Sequence, residues 1–272
     1  MIDIVKKNMK LVIVGVIFIL AYLPTLQWMW DRWWAADSYY SHGVLVPFVS
    51  AYLIWMQKDE LAKIKRKESN WGILIIIAGV LLHVVSALFR IYFSSGFAML
   101  FVFIGIAVYF YGWETCKKVA FPILFLAFML PLPEVVIVNI SFKLKMFAAE
   151  LATQFLNSIN IPAIREGSLI KMPHAFVVVD DVCSGLRSLI SLTALGSVFA
   201  YWLKGPIWKR VLVFLTTIPI AIFTNMIRVI FLAFVSEIWG AEYIDGFIHD
   251  ASGFAVFGLA FALLYVVNKV VE

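Results

Sequence analysis

The feature that most constrains this chain is a series of apolar runs, many of about 18 residues or more, that recur along its length with few charges. A helix of that length crosses the roughly 30 Å of hydrocarbon in a bilayer. Inside lipid every backbone N–H and C=O must be paired within the protein, so the runs imply a bundle of membrane helices. The alternation that marks the strands of a membrane barrel is not visible along most of the chain. Hydrophobic residues make up 63% of the 272 and charged residues 14%. A soluble domain of this size could not hide that much apolar surface.

The expected spans are 11–30, 43–57, 71–89, 95–112, 118–133, 184–203, 210–235 and 250–268. The links between them separate by charge. Lys6, Lys7 and Lys10 fall on one side, with Lys58, Lys63, Lys65, Arg66 and Lys67. Lys117, Lys118, Lys204, Lys209, Arg210 and Lys269 join them, and this side holds most of the 22 Lys and Arg. The positive-inside rule then puts both termini in the cytoplasm, a parity that eight spans satisfy. The net charge of +5 is therefore spread over short loops and does not point to a nucleic-acid partner. No small-residue cleavage site follows the first apolar run, and Pro24 to Trp34 is rich in aromatics, so the first span reads as uncleaved.

Residues 134–159 break the pattern, because Lys143, Lys145 and Glu150 would sit mid-bilayer at about 3 kcal/mol each. An amphipathic helix along the outer interface fits better, with Phe142, Met146, Leu151 and Phe155 among its buried residues. Residues 160–181 are polar, and Ser168–Lys171 and Ala175–Val179 read as two short strands of a hairpin. The expected fold is an all-α polytopic membrane protein of about eight transmembrane helices. Residues 134–181 add an outer-face amphipathic helix and a short β-hairpin, and residues 1–272 form one domain without repeats.

This topology brings reactive side chains to one outer layer from three spans. Asp180-Asp181-Val182-Cys183-Ser184-Gly185-Leu186-Arg187 enters the sixth, Asn225 and Arg228 lie in the outer half of the seventh, and His249-Asp250 opens the eighth. Most cysteines are simply small buried residues. Cys183, however, is placed to begin a helix, whose dipole and unpaired N–H groups favour a thiolate, with Arg187 four residues on along the same face. Asp180 and Asp181 act against that by raising a thiol pKa. An arginine within an apolar helix either snorkels, bridges helices or faces a polar interior. Arg228 in the last role could steady an oxyanion, with Asn225 one turn earlier to orient it. His249 is either a helix cap or, beside a thiol, a general base.

Other candidates carry less chemistry. The two cysteines form neither a disulfide framework nor a CxxC metal pattern, and Cys116, beside Lys117 and Lys118, reads as structural. His83 reads as a hydrogen-bonded core residue, His174 as solvated and His42 as part of an aromatic interfacial belt. A metal site built from His42, His174 and His249 has no ligand spacing in its favour.

At these residues the chain resembles the exosortase/archaeosortase family of membrane cysteine transpeptidases. The resemblance rests on Cys-Ser-Gly-Leu-Arg-Ser at 183–188, Asn-x-x-Arg at 225–228, and His249 ahead of Gly253 and Gly258. It extends to Tyr40-Ser41-His42-Gly43 through Pro47, and to Ile161-Pro162, Arg165-Glu166-Gly167 and Met172-Pro173. His174-Ala175 departs from the turn expected after Pro173. The resemblance implies Cys183 as nucleophile, Arg228 as stabilising cation and His249 as base. Arg187, Asn225, Ser184 and Asp181 are expected in support of them, and no metal or cofactor is expected. The implied substrates are exported proteins with a C-terminal Pro-Glu-Pro-type motif, a transmembrane helix and a basic tail, passed to an unknown acceptor. A histidine rather than a second arginine places the chain on the bacterial side, in the inner membrane with its site facing outward. Two other classes stay open on the residues alone. One is an anion transporter or channel using Arg228, Arg187 and Asp181; the other is a non-enzymatic assembly factor for an exported polymer.

Overall fold

A computed structural model describes residues 2–240 and 246–272; the side chains of residues 2–8, 10, 11, 14, 182 and 250, Lys6, Lys7, Lys10 and Asp250 among them, lie outside the described set. The chain packs as two compact units, residues 1–132 and 133–272. The division falls where the charge pattern already sets the 134–181 segment apart.

In the first unit α1 (Ile2–Trp34) is followed by a 3-10 turn (Ser41–Val44), α2 (Val46–Met56), α3 (Lys58–Lys63), α4 (Trp71–Leu88), α5 (Tyr92–Tyr111) and α6 (Trp113–Phe125). The buried residues of α4 are Gly72, Gly79 and Ser86, a stripe of small side chains seven residues apart. It lets the backbones of α4 and α5 approach closely, as helices packed in lipid require: a Cβ on Gly72 would collide with the backbone of Tyr109. Most of the large side chains of α4, among them Leu74, Ile77, Leu81 and Leu88, are exposed.

Three helices of this unit are tied by a directed chain of hydrogen bonds. His83 Nε2 faces the Ala21 carbonyl at 3.1 Å and must carry the proton, because a carbonyl only accepts. Nδ1 then accepts from Ser95 Oγ at 2.8 Å, and Ser95 in turn accepts from Thr25 Oγ1 at 2.6 Å. His83 is thus a hydrogen-bonded packing residue, as its place in an apolar span suggests.

The second unit runs α7 (Glu134–Ser158), β1 (Ile164–Glu166), β2 (Leu169–Lys171), β3 (Phe176–Val178), α8 (Leu186–Trp202), α9 (Ile207–Trp239) and α10 (Phe247–Val271). The polar segment is an antiparallel three-stranded sheet in the order β1-β2-β3, not the two-stranded hairpin expected. The second and third strands lie where the hydrophobic pattern puts them, but β1 is exposed at all three residues and shows no alternation to read. Glu166 pairs with Leu169 across a two-residue turn, and Gly167 (φ +66°) supplies the left-handed conformation such a turn needs.

Helix α7 forms over the expected range. The stripe it packs into the protein is Ser141, Ala148, Ala149, Ala152, Thr153 and Leu156. Phe142 and Phe155 point outward. Ala148, Ala149, Ala152 and Leu156 join Ile170 and Val177 of the sheet, Val229, Leu232 and Ala233 of α9, and Cys183 in one core cluster. A second cluster, including Leu192, Val213, Ala221 and Leu264, holds α8, α9 and α10 together.

Among the described residues four helices, α4, α5, α9 and α10, are long and apolar enough to cross a membrane, or up to five when a helix pair broken by a short gap counts as one. Helix α2 has 11 residues; it rises about 17 Å against about 30 Å of hydrocarbon. Helix length and composition therefore support four or five crossings where the charge pattern suggests eight.

Candidate active site

Three elements of the second unit supply the site: the turn before α8, the middle of α9 and the first turns of α10. Cys183 closes a 3-10 turn, Asp181–Cys183, and Gly185 follows in the left-handed region at φ +83°. That residue interrupts the chain's helical path, so α8 starts only at Leu186. The expectation that Cys183 opens a helix is thereby corrected. Its N–H is not spare but donates to the Asp180 carbonyl at 2.9 Å. Arg187, on α8, does not share a helix face with Cys183, and its buried Nε has no hydrogen-bond partner among the described residues.

The turn is held on three sides. Ser184 Oγ donates to the Asp181 carbonyl at 2.6 Å and accepts from Leu186 N at 3.3 Å. Asn225 Nδ2 donates to the Cys183 carbonyl at 2.9 Å, so Asn225 fixes the cysteine turn. Asp181 accepts from Lys145 Nζ at 2.9 Å and Ser141 Oγ at 3.1 Å, both on α7. The Lys145 bond holds the Asp181 carboxyl below the usual carboxylate range.

Gly185 sits directly against this clamp. A Cβ there would lie 2.7 Å from Asn225 Cγ, besides meeting the left-handed φ. Gly185→Ala is therefore expected to destabilise the protein by about 1–3 kcal/mol. Thermal unfolding in detergent would read this as a lowered midpoint, and an unchanged midpoint would contradict the packing described.

Cys183 Sγ lies 3.0 Å from His249 Nε2. Arg228 Nη2 approaches the same nitrogen at 3.2 Å and also donates to the His249 carbonyl at 3.1 Å. Arg228 Nε donates to Ser252 Oγ at 3.1 Å, and Ser252 donates onward to the His249 carbonyl at 2.7 Å. A guanidinium has donors only, so a hydrogen bond from Nη2 to Nε2 uses that nitrogen's one lone pair, the same one that a Cys183 proton would take. Burial pushes the Cys183 thiol up, the Arg228 charge pulls it down and Asp180 pushes it up. The site thus sets a thiol beside an imidazole, with a cation held within reach of both.

The sequence places Cys183, Asn225, Arg228, His249 and Ser184 here, and the structure brings them together. Asp181 is drawn to α7, and Arg187 makes no ion pair among the described residues. Among the described residues no group of three or more His, Cys, Asp and Glu could hold a metal ion. Ser252 is the residue sequence reading misses; its signal is its place one turn after His249 on the same face of α10. In the sequence Lys145 stands out only as a charge too costly for the bilayer.

A search of curated proteins finds no match, and neither does a search of solved structures. A family model described as Transmembrane exosortase (Exosortase_EpsH) matches residues 33–266. That match takes in the turn before α8, all of α9 and most of α10, and with it most of the chain, which therefore belongs to the transmembrane exosortase family.

Proposed function

We propose that this protein is a membrane-embedded cysteine transpeptidase that cleaves C-terminal sorting signals at the outer face of the inner membrane. The observation that carries the reading is the 3.0 Å approach of Cys183 Sγ to His249 Nε2, with Arg228 on the same nitrogen. Thiol, base and buried cation are the parts that acyl transfer needs.

In this mechanism the Cys183 thiol passes its proton to His249 Nε2 as sulfur attacks the peptide carbonyl. Protonation removes the lone pair that Arg228 Nη2 was using, which frees that N–H to turn to the new oxyanion. Collapse breaks the C–N bond, and His249 gives its proton to the leaving amine. The acyl group stays on sulfur as a thioester until an amine, a hydroxyl or water attacks it and releases the thiol. Asn225, Ser184 and Gly185 position the nucleophile, and Ser252 positions Arg228 and His249. The substrates are exported proteins whose tails carry a Pro-Glu-Pro-type motif, a transmembrane helix and basic residues.

The test is acceptor diversion. Membranes containing the protein and a reporter with such a signal are treated with hydroxylamine, and the new C-terminus is read by mass spectrometry. A hydroxamate there is the expected result. Release of the free carboxylate alone, unchanged by hydroxylamine, would sink the thioester mechanism; a reporter left intact would sink the substrate class.

A further inference from the structure

The first unit holds a cavity of about 940 Å³ that the chemistry above does not use. It is large by the standard of small-molecule pockets, which run to about 1,000 Å³. Its walls, among them Leu26, Met99, Phe103 and Ile106, are apolar, while Lys58 and Arg66 line it as well. On α5 the lining runs from Met99 to Tyr111, about 18 Å along the helix axis. That is close to the roughly 15 Å of hydrocarbon in one leaflet.

The two cations sit at one end. The Arg66 guanidinium lies over the Tyr111 ring at 5.1 Å, at the last residue of α5, and Lys58 Nζ lies over Trp55 at 4.8 Å. Neither makes an ion pair among the described residues; the nearby Glu60 is taken by Lys118 at 2.8 Å. Both belong to the basic link that the charge pattern assigns to the cytoplasmic side. An apolar slot one leaflet long, closed by two uncompensated cations at the surface level, matches a lipid tail below a negative headgroup. A signal helix with a basic tail would bring like charges together here, so the charges select against it.

We propose that this cavity binds one anionic phospholipid, its acyl chains along α5 and its phosphate between Lys58 and Arg66. The site rests on the first unit alone and is independent of the proposed transpeptidase activity.

The full-length protein, delipidated in a non-ionic detergent, is titrated with phosphatidylglycerol or phosphatidylcholine and followed by native mass spectrometry. About one phosphatidylglycerol per chain should bind. K58Q/R66Q should weaken it by about thirty-fold, from about 1 kcal/mol per basic residue. Ala107→Phe, which fills the cavity wall, should remove the binding while leaving the charges in place. Equal affinity for the two lipids, or unchanged phosphatidylglycerol binding in K58Q/R66Q, would overturn the headgroup assignment. Unchanged binding in Ala107→Phe would place the lipid elsewhere and overturn the site.

Discussion

Cys183→Ala is expected to stop production of the shortened reporter, a fall on the order of 10⁴-fold or more, at unchanged abundance in the membrane. The size follows from the chemistry: the nearby Ser184 and Ser252 hydroxyls are tied to the Asp181 and His249 carbonyls, and the alanine leaves His249 and Arg228 with nothing to activate. The fold should tolerate the change. Cys183 belongs to a cluster built largely of alanine and small aliphatic residues, and its backbone N–H and C=O keep their bonds to Asp180 and Asn225. Immunoblotting of membranes for both reporter and enzyme reads both halves of the prediction. Processing equal to wild type would mean that the cysteine is structural, and the assembly-factor reading would move ahead.

Arg228→Lys should be nearly as damaging, at about 10²–10³-fold, although the charge is retained. The guanidinium reaches Ser252 through Nε and both His249 atoms through Nη2. One ammonium on a flexible stem cannot reproduce that planar fork. Arg228→Ala should lose at least as much activity, and it should also lower the unfolding midpoint, because the His249 carbonyl and Ser252 each lose a donor. Kinetics on purified protein with a signal peptide would show the loss mainly in kcat. A Lys variant within a few-fold of wild type would mean that charge alone is required and that the fork has no role.

Much of this site is legible in the residues because its parts are of rare type for where they sit. An arginine in an apolar helix, a histidine opening another and a cysteine before a third are each costly or reactive in lipid. Charge bias then fixes which ends of the helices meet. What could not be read is set by single backbone torsions and by short range. The left-handed Gly185 moves the start of α8 to Leu186 and separates Cys183 from Arg187, yet glycine in a sequence does not announce its φ. Strand β1 carries only three exposed residues, too few to show a period. The buried stripe of α7 is drawn by alanines and serine, whose hydropathy is weak, while its phenylalanines face outward. The apolar slot beneath Lys58 and Arg66 arises from side chains of several helices and has no local signature at all.

Helix α9 carries Asn225 and Arg228 three residues apart, and each reaches a different neighbour. One grips the turn that presents sulfur; the other grips the start of α10 that presents imidazole. A helix transmits rotation as a rigid shaft, so twisting α9 about its axis would release both grips in the same motion. Pro219 lies within that shaft, six residues before Asn225, where it removes a ladder hydrogen bond and makes bending least costly. Nucleophile and base are thus held from one helix, so a displacement of α9 would reach both.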